Sequence, residues 1–151
     1  MNIPTHLLSD NFVKTHNLTD DTPFEVLDID ARTLLHPYRI DLAAKLLYIE
    51  ARETGADMTY ARELYAKHIE AFSEGNFSEP GDDSKTSLEH FFTAFDKLID
   101  DIRDKGFDPD CSLIPVGRDN IILDGAHRTA CAISFGIKVR LIRFPEYSVR
   151  F

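Results

Sequence analysis

Residues 124–128, with the sequence DGAHR, combine the side chains and the backbone freedom that a phosphate site requires. An apolar run, residues 121–123, leads the chain into Gly125, which tolerates a sharp turn and lets a ligand approach the backbone. The turn is predicted to open a helix, whose free N–H groups and positive dipole end attract anions. His127 adds a hydrogen-bond donor, and Arg128 adds a planar two-pronged donor suited to phosphate oxygens. The predicted phosphate-binding residues are Asp124, Gly125, Ala126, His127 and Arg128.

The same residues also have simpler interpretations. Asp124 is a residue type that caps helices, and Arg128 could pair with a surface carboxylate. His127 is a phosphate donor, a proton carrier in catalysis, or a donor that only braces the turn. Asp124 either braces the turn or helps to bind Mg²⁺, directly or through water. These alternatives remain open from the sequence.

Helices are predicted on both sides of a polar segment that precedes this turn. Apolar residues recur at helical spacing from Tyr38 onward, with Ile40 in the buried stripe, until Gly55 ends the run. A second helix is predicted for Thr59–Phe72, with Tyr60 on or near its buried face.

A third helix is predicted from Ser87, which can cap it, to Gly106, which can end it. The pattern after Gly106 changes to strand, turn, strand, helix, strand. The predicted strands are residues 24–29, 112–116, 121–123 and 138–144, and the predicted last helix is residues 126–135.

These elements predict an α+β fold in a single domain of residues 1–151 with one shared core. A mainly helical part, residues 1–72, is expected to pack on a small α/β unit, residues 87–151. The polar loop between them, residues 73–86, is long for a compact domain, and such loops are often functional.

Charge and cysteine content narrow the classes of function. A net charge of -9 disfavours nucleic acid as a partner and requires any anion to be held by a local basic pocket. No apolar run is long enough to span a bilayer, and the first ten residues lack the order of a secretion signal, so a cytoplasmic protein is expected. Cys111 and Cys131 form no disulfide framework, and Cys131 is predicted to be buried filler.

Residues 85–144 resemble the ParB/sulfiredoxin-like superfamily, and the D-G-x-H-R turn is the most specific part of the likeness. Members of that superfamily carry a helix, a strand, a hairpin, and then this turn followed by an alanine-rich helix. The resemblance implies nucleotide phosphates bound at the turn, in a group that includes DNA-partitioning switches, sulfinic-acid reductases and free-amino-acid kinases.

Two branches of the superfamily fit this sequence poorly. Sulfiredoxins have a cysteine where this chain has Ala126, so the thiol that attacks their phosphorylated intermediate is missing. ParB proteins have an arginine-rich turn and continue into a DNA-binding helical domain, whereas this acidic sequence stops soon afterwards at Phe151.

The amino-acid kinase branch has the most similar turn and places a catalytic glutamate upstream of it. The resemblance implies Glu79 as the base that takes a proton from a substrate hydroxyl, with Asp82 as the second choice. Lys85 would reach the transferred phosphate from the other side. The simpler interpretations are an exposed acidic turn at Asp82 and Asp83 and a solvated Lys85.

A likeness to ParB-like proteins of bacterial surface-polysaccharide clusters covers more of the chain, with matching patterns at residues 41–45, 63–69 and 79–85. In the 41–45 segment, Asp41 and Lys45 are spaced for an i,i+4 ion pair. The alternative is that these two residues, together with Arg39, contribute to a substrate pocket.

The resulting expectation is a phosphotransferase that uses ATP or ADP with Mg²⁺ and acts on a small hydroxylated metabolite, a sugar or an amino acid. The alternatives are a nucleotide-binding module without turnover and, less favoured by the charge, a DNA-binding domain.

Overall fold

The structure is a computed structural model that describes residues 2–72 and 87–147. Five α-helices and three β-strands occur in this part of the chain, and the α+β class predicted from the sequence is confirmed. Their order is α1 (Asp10–Thr15), β1 (Glu25–Asp30), α2 (Asp41–Thr54), α3 (Thr59–Phe72), α4 (Leu88–Lys105), β2 (Ile114–Gly117), α5 (Ala126–Ser134) and β3 (Lys138–Phe144).

Local capping signals fix the ends of the long helices. The Ser87 hydroxyl accepts a hydrogen bond from the His90 N–H at 3.4 Å, which starts α4, and Gly106 ends it. Gly55 ends α2 in the left-handed conformation, with φ of 70°. The predicted ends of these helices are therefore confirmed.

The predicted start of the first long helix is wrong by three residues. Pro37–Arg39 forms a short 3₁₀ helix that the His36 side chain caps, so α2 begins only at Asp41. Ile40 lies between the two helices and is 71% exposed instead of buried. Tyr60, predicted to lie near the buried face of α3, is 66% exposed.

The sheet has the order β1-β3-β2, with β3 in the middle. β1 pairs with β3 antiparallel, and β2 pairs with β3 in parallel, through a connection that contains α5. The strand predicted at residues 121–123 is reduced to a single bridge between Ile122 and Val116. The chain therefore leaves the sheet just before the DGAHR turn.

Both faces of β3 are buried, each against a different part of the chain. Val139 and Leu141 belong to the main core with the helices, whereas Ile142 and Phe144 pack with Phe12 and other N-terminal residues. The DGAHR turn touches both parts, because Asp124 contacts the N-terminal segment and His127 contacts α3. No helix in residues 2–72 or 87–147 is long and apolar enough to cross a membrane.

Candidate functional site

The DGAHR turn is built on Gly125, which precedes α5 with a φ of 81°. Its carbonyl oxygen accepts hydrogen bonds from the Thr129 N–H at 2.9 Å and from the Thr129 hydroxyl at 2.8 Å. Thr129 is fully buried, so the first turn of α5 is anchored in the core. The N-cap is Gly125 itself, so the interpretation of Asp124 as the helix cap is wrong.

Arg128 folds back over this glycine instead of pointing away from it. A Cβ atom on Gly125 would lie 2.7 Å from Arg128 Nη2 and 3.1 Å from Ile114 Cδ1. Arg128 Nη1 lies 3.5 Å from the carbonyl oxygen of Leu113, at the entry to β2. The guanidinium group is thus held against Gly125 in the turn.

Asp124 contacts the N-terminal segment. Its Oδ2 accepts a hydrogen bond of 3.3 Å from the Ser9 hydroxyl, which also accepts from the Phe12 N–H at the start of α1. No group of three or more His, Cys, Asp or Glu side chains could share a metal ion in the described residues. A single half-buried carboxylate suits Mg²⁺ only when phosphate oxygens and water complete the coordination.

His127 joins the turn to two helices. Its Nε2 lies 2.9 Å from the hydroxyl oxygen of Tyr65 on α3, and Phe95 on α4 meets its ring edge-on at 4.9 Å between centroids. Tyr65 is fully buried. No sequence pattern indicates that its hydroxyl reaches His127, because that contact spans 62 residues.

Arg39, Asp41 and Lys45 form a cluster next to the segment that enters the DGAHR turn. Arg39 donates two hydrogen bonds to the Asp41 carboxylate, at 2.9 and 2.8 Å, and Lys45 Nζ lies 3.2 Å from the same carboxylate. Arg39 also donates to the carbonyl oxygen of Ile122 at 2.8 Å. The predicted ion pair between Asp41 and Lys45 is therefore present, and Arg39 ties it to the segment that enters the turn.

The two cations keep Asp41 ionised. Burial by itself raises the pKa of this carboxyl, but the hydrogen bonds from Arg39 and the charge of Lys45 outweigh burial and hold the pKa well below its usual value. Asp41 is consequently a poor proton acceptor and acts as the anchor of the cluster.

The other residues predicted for the site, Glu79, Asp82 and Lys85, lie outside the described residues. His68 is half-buried and His90 is exposed on their helices, and neither belongs to a possible metal group in the described ranges. Cys131 is buried, as predicted.

Burial raises the pKa of the Cys131 thiol to about 12, so it is no nucleophile near neutral pH.

The assembled features are suited to binding an anion: backbone N–H groups at the start of α5, the folded guanidinium of Arg128, and the ring of His127. No protein-family model, curated protein or solved structure matches this chain. The likeness to the ParB/sulfiredoxin-like superfamily therefore rests on sequence patterns alone, above all on the DGAHR turn.

Proposed function

We propose that this protein is a nucleotide-binding phosphotransferase of the ParB/sulfiredoxin-like type, which transfers a phosphoryl group from ATP or ADP to a hydroxyl of a small metabolite. The observation that supports it best is the guanidinium of Arg128 folded over Gly125 at the start of α5. A planar donor beside a helix N-terminus suits the oxygens of a polyphosphate.

In the proposed reaction, an oxygen of the acceptor hydroxyl attacks the terminal phosphorus of the nucleotide. A new P–O bond forms, the bond from phosphorus to the bridging oxygen breaks, and the shortened nucleotide leaves with the electron pair. The hydroxyl proton passes to a carboxylate, Glu79 or Asp82. Arg128 and the positive end of α5 stabilise the charge that develops on the phosphoryl oxygens.

The remaining site residues have supporting roles in this proposal. Asp124 would hold Mg²⁺ together with phosphate oxygens, and the ion would neutralise phosphate charge. His127 would donate to a phosphate oxygen, and Lys85 would approach the transferred group from the opposite side.

The acceptor in this proposal is a sugar or an amino acid, and bacterial surface-polysaccharide synthesis is the process we favour. The two cysteines are free thiols, which fits a reducing compartment, so we place the activity in the cytoplasm.

A thermal-shift screen with ATP, ADP, CTP and GTP, with and without Mg²⁺, tests the proposal. At about 100 times Kd, a bound nucleotide stabilises by about 2.7 kcal/mol and raises Tm by roughly 5–10 °C. Arg128→Ala should weaken nucleotide binding about tenfold or more.

The matched control is Arg140→Ala, which removes an arginine from the exposed pair with Asp28 on the sheet. This variant should bind nucleotide like the wild type. Absence of a shift with every nucleotide would refute the phosphate-site proposal.

Binding without turnover is a second candidate, and Asp41 favours it. This carboxylate is held in its ionised form by two cations, so it is unsuited to accept a proton. Turnover then depends on the carboxylates of the 73–86 segment. A variant combining Glu79→Gln, Asp82→Asn and Asp83→Asn should lose ATP consumption and keep nucleotide binding if the protein is a kinase. A wild type that binds nucleotide without consuming ATP, and a triple variant that binds it equally well, would favour the binding module.

A further inference from the structure

The Tyr65 hydroxyl is the buried partner of the only histidine in the DGAHR turn. Tyr65 is fully buried, and its ring packs among those of Tyr48, Phe92 and Phe95, at 5.2, 5.7 and 5.2 Å between centroids. Such close packing leaves the phenol ring little freedom. The hydroxyl is therefore presented to His127 at a fixed position on α3.

The His127 ring is held from two directions. Tyr65 engages Nε2 at 2.9 Å, and the Phe95 ring from α4 packs against the imidazole at an interplanar angle of 81°. Two contacts of this kind fix both the position of the ring and its rotation about the side-chain bonds. His127 is thus oriented by the core and not by the turn alone.

The hydrogen bond at one ring nitrogen decides where a neutral imidazole carries its proton. When a tyrosine hydroxyl donates to Nε2, the proton must sit on Nδ1. Nδ1 is bonded to the ring carbon that carries the rest of the side chain. It is therefore the ring nitrogen nearer to the His127 backbone, which lies in the first turn of α5. An N–H group there is the kind of donor that a phosphate oxygen requires.

We propose that Tyr65 is a positioning residue of the phosphate site: its hydroxyl donates to Nε2 of His127 and so keeps the proton on Nδ1, where it serves the bound phosphate. The use of this proton by a phosphate depends on the function proposed above. The direction of the hydrogen bond does not depend on that function, because the bond between Tyr65 and His127 is present without a ligand.

Nitrogen-15 NMR of the histidine rings in the ligand-free protein tests the direction of the bond. The His127 signals are identified by their loss in His127→Gln. At a pH where His127 is neutral, the wild type should show the tautomer protonated on Nδ1, and Tyr65→Phe should shift the population toward the other tautomer.

Tyr48→Phe is the matched control, because it removes another buried tyrosine hydroxyl, one that donates to Asp96 at 2.7 Å. It should leave the His127 signals unchanged. A wild-type His127 protonated on Nε2 would overturn the proposal, and this result needs no variant to fold.

Nucleotide affinity, measured by titration calorimetry, tests the use of the proton. Tyr65→Phe should weaken binding about tenfold, and Tyr48→Phe should leave it unchanged. Equal affinity in Tyr65→Phe and the wild type would overturn the positioning role. If the wild type binds no nucleotide, the proposed function fails, while the NMR result still decides whether Tyr65 sets the tautomer.

Discussion

Arg39 donates a hydrogen bond of 2.8 Å to the backbone carbonyl oxygen of Ile122, across 83 residues of sequence. The same guanidinium donates two further hydrogen bonds to the Asp41 carboxylate, and these bonds fix the plane of the guanidinium group. Ile122 forms the bridge to β2 that lies just before the DGAHR turn. The 3₁₀ helix just before α2 therefore sets the position from which the turn departs.

We expect Arg39→Ala to lower the free energy of unfolding by about 2 kcal/mol, because it removes charge-assisted bonds from half-buried partners. Arg39→Lys keeps the positive charge but lacks the planar guanidinium that donates several hydrogen bonds at once. Its free energy of unfolding should therefore lie between those of Arg39→Ala and the wild type. Urea denaturation measures both. Arg140→Ala, at an exposed pair, should cost less; an equal cost for both alanine variants would contradict the role given to Arg39.

Asp41 should contribute to the acid sensitivity of the fold. Its pKa in the folded protein lies below the ordinary 3.8, so its contribution is present above that pH and is lost as the pH falls through the folded-state pKa. The difference in unfolding free energy between wild type and Asp41→Asn should therefore be largest above about pH 5 and shrink toward pH 2. A difference that grows on acidification would show that the pKa is not depressed.

Comparing Gly125→Ala with Gly55→Ala distinguishes the effect of backbone strain from the effect of displacing Arg128. Both glycines have positive φ, 81° and 70°, so each alanine should cost about 1 kcal/mol of stability. Only at Gly125 does the new Cβ displace Arg128; nothing lies within 4 Å at Gly55. Nucleotide binding should fall about tenfold in Gly125→Ala alone. Equal affinities in the two variants would remove Arg128 from the phosphate site.

The two cysteines should react with iodoacetamide at different stages. Asp108 accepts a hydrogen bond from the Cys111 thiol and raises its pKa, so this exposed thiol should react slowly at pH 8, and faster in Asp108→Asn. Cys131 should react only after unfolding, because it is fully buried. Peptide mass spectrometry distinguishes the two sites, and Cys111→Ser supplies the control. Labelling of Cys131 in the folded protein would contradict its burial.

The sequence predicted best those elements whose ends depend on neighbouring residues. Ser87 and Gly106 bound α4 through bonds within one helical turn, and Gly125 marks the start of α5 through its own dihedral angles. Residues 121–123 were predicted as a strand because apolar runs favour strands, but only Ile122 pairs with a neighbour. Pairing depends on where the partner strand lies, which local pattern does not encode.

The candidate site follows the same rule: its local features can be predicted from the sequence, and its long-range contacts cannot. The turn itself was found because its glycine, histidine and arginine are adjacent in sequence. The contacts that support it, from Arg39 to Ile122 and from Tyr65 to His127, join residues that are far apart in sequence and close only after folding. A single sequence therefore indicates the groups that we propose to bind an anion but not the residues that orient them.

The central place of β3 has a consequence for how the protein is made. Apart from the bridge at Ile122, β1 and β2 have no strand partner but β3 within the described part of the chain. On the ribosome, β1 and β2 emerge first and must wait until Lys138–Phe144 has been synthesised. Because sheet pairing at such long sequence separation is slow, the nascent helices should be compact well before the DGAHR turn acquires its final support.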